Sequence, residues 1–119
     1  MRLRKLSYRL SVAQYEEMPN RIEGFFSLSC VREEISLVCE TKYLPEKASR
    51  REDGWRAFVV EGQLDFSLVG ILSELSATLA KAEIPIFALS TYDTDYILVK
   101  ENHFDRAIAA LREAGHEIV

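Results

Sequence analysis

Apolar residues recur at helical spacing through the second half of the chain. Leu68, Ile71, Leu72, Leu75, Leu79 and Ala82 trace one face, and Phe104, Ala107, Ile108 and Leu111 trace another. Ser67 stands where an N-cap oxygen is wanted, and Pro85 cannot continue a helix, so the first predicted helix ends before it. Asn102 is placed to cap the second helix, with Asp105 as the acidic member of a capping box and Gly115 as the C′ stop. Residues 56–61 (RAFVVE), 86–90 (IFALS) and 96–99 (YILV) are β-branched and aromatic and read as strands, and 116–119 can close the series. Residues 91–95 between two of these runs are turn-like. The predicted order is β-α-β-β-α-β, a ferredoxin-like α+β unit. It sets two helices on one face of an antiparallel sheet and leaves the other face to be covered.

The first half is strand-rich. Residues 6–15 alternate, with Leu6, Tyr8, Leu10 and Val12 on one side. Residues 25–31 and 35–40 flank Arg32-Glu33-Glu34 as a hairpin. Residues 16–24 are few and contain Pro19-Asn20, so no full helix fits there, and a helical turn is expected over 45–50. This half is a truncated version of the second: the strands remain and the first helix is missing. The polar stretch 46–54 reads as a solvated connector. It divides the chain into a truncated N-terminal half, 1–54, and a complete unit, 55–119.

Composition narrows the class. The chain has 119 residues, 48% of them hydrophobic, which is too apolar for disorder and long enough for a core of its own. No apolar run is long enough to span a membrane. The basic start Met1-Arg2-Leu3-Arg4-Lys5 leads into alternating residues rather than an apolar segment, so no signal peptide is read and the expected location is the cytoplasm. Net charge is −4, which argues against general nucleic-acid binding. The excess of acid lies in residues 55–119, with five Lys/Arg against ten Asp/Glu, and suits a ligand carrying an ammonium group. Cys30 and Cys39 have no CxxC spacing; they lie in adjacent strand runs and are read as reduced packing residues.

No catalytic set is legible. His103 and His116 are not at metal-ligand spacing and read as two surface histidines, so neither a metal nor a cofactor is expected. GxSxG, GxGxxG and Walker A strings are absent. The strand 96–99 lacks the RNA-recognition string, and the loop after strand 56–61 carries a carboxylate and no Arg, unlike an acylphosphatase loop. That loop, Gly62 to Gly70, is the candidate site. Free N–H groups at a helix N-terminus favour a carboxylate, Gly70 permits close approach, and Asp65 can accept hydrogen bonds from an ammonium group. Together these are the needs of an α-amino acid. The same residues also suit plain structural work, Asp65 as a helix-cap acid and Gly70 as a packing residue. The second polar loop, Ser90-Thr91-Tyr92-Asp93-Thr94-Asp95, is dense in hydroxyls and carboxylates, as a β-turn with side-chain bonds also is.

These two loops with their flanking strands (WRAFVVEG, LDFSLVGIL and IFALSTYDTDYILV) resemble the ACT-domain family. More narrowly they resemble the small bacterial double-ACT proteins related to the arginine-sensing CASTOR proteins. Glu33-Glu34-Ile35-Ser36-Leu37-Val38-Cys39 resembles the N-terminal half of that family. The resemblance implies a regulatory module rather than an enzyme, binding a small molecule such as an amino acid. Asp65, Phe66, Gly70 and Ile71 would form the loop side of the pocket, and Ser90, Thr91 and Tyr92 the facing side. With no enzyme domain attached, a regulated partner would be a separate chain. An open sheet edge or face further suggests a homodimer.

Overall fold

The helical spacings become helices, and the strand runs become strands. The computed structural model describes residues 1–61 and 70–119. Strands are β1 (Arg2–Lys5), β2 (Leu10–Tyr15), β3 (Phe26–Val31), β4 (Glu34–Glu40), β5 (Arg50–Val60), β6 (Phe87–Ser90), β7 (Asp95–Lys100) and β8 (Glu117–Ile118). Helix α1 is Ile71–Lys81 and α2 is Phe104–Glu113. The chain forms two units: Met1–Ser7 with Arg56–Val119, and Tyr8–Trp55.

The C-terminal unit has the ferredoxin-like order from β5 to β8. Its core joins Phe58 and Val60 of β5, Ile97 and Val99 of β7, Leu75 and Leu79 of α1, and Phe104, Ala107 and Leu111 of α2. These are the positions that the helical and strand periods select. Ala57, Val59 and Leu98 point to the other face and are buried as well. β1 is an addition to the pattern. It pairs antiparallel with β5 (Leu3↔Val60) and parallel with β8 (Leu3↔Ile118), so residues 1–7, placed by the sequence division in the N-terminal half, pack with Arg56–Val119. Arg56 is held over the Phe104 ring at 4.1 Å, and Phe104 stacks on Phe58 at 5.0 Å.

Both helices end in the same hydrogen-bond pattern. Gly115 N donates to Arg112 O (3.0 Å) and His116 N to Leu111 O (3.0 Å). Glu83 N donates to Ala80 O (2.9 Å) and Ile84 N to Leu79 O (3.0 Å). The left-handed residue is Gly115 in one case and Glu83, at φ +61°, in the other. Asn102 does not cap α2: a single 3₁₀ turn, Glu101–His103, leads into the helix, whose N-cap is His103 with no side-chain bond. Ser67, the expected cap of α1, lies outside the described residues.

In the N-terminal unit the sheet order is β3-β4-β2-β5. Its core is Ala13, Tyr15, Leu37 and Cys39, with Ile22, Leu28, Ile35, Leu44 and Ala48 against it. The expected continuous strand 6–15 is broken at Ser7–Arg9, and Tyr8 is exposed. Its buried face carries Ser11, Ala13 and Tyr15 rather than Val12. The register explains this: Leu10 faces Trp55 but Val12 faces Glu52, so β5 carries an extra residue, with Gly54 left-handed at φ +82°. The expected helical turn lies at Thr41–Tyr43 instead of 45–50. The expected connector 46–54 is half strand: Arg50, Arg51 and Glu52 pair with Gln14, Ala13 and Val12. Their charges suit the last strand of this unit's own sheet. Ser11, fully buried, bonds Asp53 Oδ1 (2.6 Å) and Thr41 Oγ1 (2.8 Å). Gly24 is locked in place, since a Cβ there would lie 2.1 Å from Glu40 Oε2.

The cysteines differ. Cys39 is buried and Cys30 is exposed, so only Cys39 packs. Both are free thiols. Cys39 faces Phe26, four residues along β3 from Cys30, a separation of about 13 Å that no disulfide spans. Burial is the largest cause that pushes the Cys39 thiol up to about 11; Arg51 opposes it, and Glu40 and Asp53 add to it. It is therefore a neutral, unreactive packing group at neutral pH.

Candidate functional site

The crossover from β5 through α1 to β6 brings the start of α1 and the turn after β6 to the same end of the C-terminal unit's sheet. Gly70 is the N-cap of α1. It is left-handed at φ +83°, gives no side-chain cap, and has open space where a Cβ would stand. The positive φ alone asks for glycine, and the first backbone N–H groups of a helix favour an anion. Ile71 opens the helix and packs half-buried on the core. Asp65 and Phe66, named from the sequence for the same loop, lie outside the described residues.

The loop after β6 is a tight two-residue turn, Tyr92-Asp93, closed by Thr91 N donating to Thr94 O at 2.9 Å. Ser90 Oγ donates to Asp95 Oδ1, and the Thr91 and Thr94 hydroxyls bond each other. Thr94 N also donates to Thr91 Oγ1. The hydroxyls of Ser90 and Thr91 are thus engaged in shaping the turn. Tyr92 projects from its tip, 77% exposed.

Two features here were not read from the sequence. His116 is buried rather than on the surface, and its Nε2 lies 3.1 Å from Glu74 Oε1 in the first turn of α1. Its position directly after Gly115, where this helix ending favours an inward contact with Leu111, was the available signal. His103 is half-buried. The second feature is an open cavity of about 610 Å³ in the N-terminal unit, lined by Tyr15, Glu16, Arg21, Pro45, Glu46 and Lys47 among others. Residues 16–21, where a full-length unit has a helix, form one of its walls. No three metal-ligating side chains gather among the described residues, and no helix there is long and apolar enough to cross a membrane.

The ACT domain family model matches residues 50–113. Among solved structures, the chain is similar to the Agobacterium tumefaciens protein Atu0741, with TM-score 0.88, 29% identity, and coverage of 99% of this chain and 91% of that one. It shares its fold with the regulatory subunit of aspartate kinase from Thermus thermophilus, with TM-score 0.67, 7% identity, and coverage of 95% and 96%. A structure of aspartokinase alpha and beta subunits matches with TM-score 0.65, 14% identity, and coverage of 96% and 97%.

Proposed function

Because the chain belongs to the ACT-domain family, we propose that it is a regulatory protein that binds an amino acid and acts on a separate chain, without catalysis of its own. The carrying observation is the left-handed start of α1 at Gly70, with open space where a Cβ would stand and helix-terminal N–H groups suited to a ligand carboxylate. Asp65 takes the ammonium group in this reading. Phe66 and Ile71 supply apolar contact, and the Ser90-Thr91-Tyr92 turn faces the ligand. The hydroxyls of Ser90 and Thr91 hold the turn, and Tyr92 stands exposed at its tip, on the side where the ligand would lie. The proposal includes kinship with the CASTOR-related double-ACT proteins, a homodimer, and a cytoplasmic location.

A thermal-shift screen of the twenty amino acids tests the ligand class, because a ligand bound to the folded state raises Tm by mass action. At least one amino acid is expected to raise Tm at millimolar concentration, and Asp65→Ala to abolish that rise. Silence from all twenty would overturn the amino-acid reading. Silence combined with a stable protein partner in a pull-down would favour the second reading, a ligand-free interaction module, which the exposed strand β3 supports.

A further inference from the structure

We infer that the free edge of β3 pairs with β3 of a second copy of this chain, antiparallel, with Leu28 on the two-fold axis. This deepens the homodimer part of the reading above and is independent of ligand binding. Among the described residues β3 pairs only with β4. Other outer strands of the sheet are blunted. β6 has four residues and β8 two, and the first part of β5 carries Arg50, Arg51, Glu52 and Asp53. Short or charged edges resist pairing with another chain. β3, six residues reading FSLSCV, has no charge and no proline. Phe26 is 45% and Val31 62% exposed, and Cys30 is exposed.

The backbone fixes the register. Val31 and Glu34 flank the two-residue turn Arg32-Glu33 and form a hydrogen-bonded pair, and Glu40 N donates to Phe25 O at 3.3 Å. Odd-numbered residues of β3 therefore turn their N–H and C=O towards β4. Phe26, Leu28 and Cys30 turn theirs outward. A two-fold axis perpendicular to the sheet keeps core face with core face, so only residues of like parity can oppose each other. Centring the axis on Leu28 sets Leu28 against Leu28 of the second copy and Phe26 against its Cys30. Every outward N–H and C=O of the three residues is then bonded, and the Phe26 ring meets a cysteine sulfur. Centring on Ser29 instead leaves Phe26 without a strand partner.

A strip of six residues is about 20 Å long, and it buries less than the ~800 Å² per partner of a standard interface. A second copy fits this economy, because the same strip serves both sides. The dimer should accordingly be concentration-dependent.

Sedimentation equilibrium from about 1 µM to 1 mM tests this. The mass should rise from 13.6 kDa towards twice that value. Cys30→Pro, which removes an outward N–H and no bond to β4, should weaken association at least tenfold, while Cys30→Ser should leave it intact. Circular dichroism checks that each variant folds. Independently, Leu28→Cys in the Cys30→Ser background should give a covalent dimer on oxidation, and Ser29→Cys in that background should not. A monomer at all concentrations would overturn both the homodimer and this interface. A dimer that tolerates Cys30→Pro, or that fails to cross-link through position 28, would overturn the interface and leave the homodimer standing. Amino-acid thermal shifts report separately on the ligand.

Discussion

The two units cover the same kind of sheet in different ways. The C-terminal unit lays α1 and α2 over β5 and β7, with an aliphatic and aromatic cluster between them and His116 as its buried polar residue among those described. In the N-terminal unit, Ile22, Leu44 and Ala48 from loops stand where helices would. With less apolar cover, that unit holds buried polar groups in place: Ser11 with Asp53 and Thr41, and Glu40 Oε2 accepting Phe25 N at 2.8 Å. A missing helix is replaced by side-chain hydrogen bonds, which are stringent in geometry and modest in net energy.

The largest test of this contrast is Leu79→Ala. Leu79 is fully buried in the helix-covered core, and its truncation should cost about 3 kcal/mol in urea unfolding. Gly24→Ala should cost about 2 kcal/mol or more, because a Cβ meets Glu40 Oε2 and the Tyr43 ring in a left-handed backbone. A cost of only a few tenths would show that loop cover yields easily. Glu83 and Gly115 make a smaller matched pair. Glu83→Gly should stabilise by about 0.5–1 kcal/mol, and Gly115→Ala should destabilise by about 1 kcal/mol, since the left-handed position after each helix favours glycine.

Alkaline pH should act on the N-terminal unit. Burial raises the Tyr15 hydroxyl, Cys39 adds to this and Arg51 opposes it; the Cys39 thiol rises from 9.0 to about 11. The folded state holds these protons more tightly than the unfolded chain does. The Cys39 contribution to stability is whole below pH 9 and is lost as pH climbs from 9 towards 11; that of Tyr15, raised from 10.0, is lost only above pH 10. Stability measured across that window should fall, and Cys39→Ala should flatten the slope while lowering stability at pH 7. An unchanged slope would remove Cys39 from the account.

What could be read beforehand follows the same division. The helical faces of α1 and α2 were legible because spacing repeats over several turns, and Pro85 and Gly115 marked their ends. β2 was legible as a strand but its buried face was not, because one extra residue at Gly54 moves the register and no alternation in β2 itself records it. β1 escaped because its partners, β5 and β8, are more than fifty residues away in sequence. In the candidate site, Gly70 was legible as a position needing freedom. The engagement of Ser90 with Asp95, and of Thr91 with Thr94, depends on turn geometry that composition does not carry.

A crystal structure of the protein soaked with a mixture of amino acids would show the ligand itself. Density for one of them is expected at the start of α1, its carboxylate on the backbone N–H groups beside Gly70 and its ammonium group against Asp65. Density confined to the cavity beside Tyr15 and Lys47, or none at all, would contradict that placement.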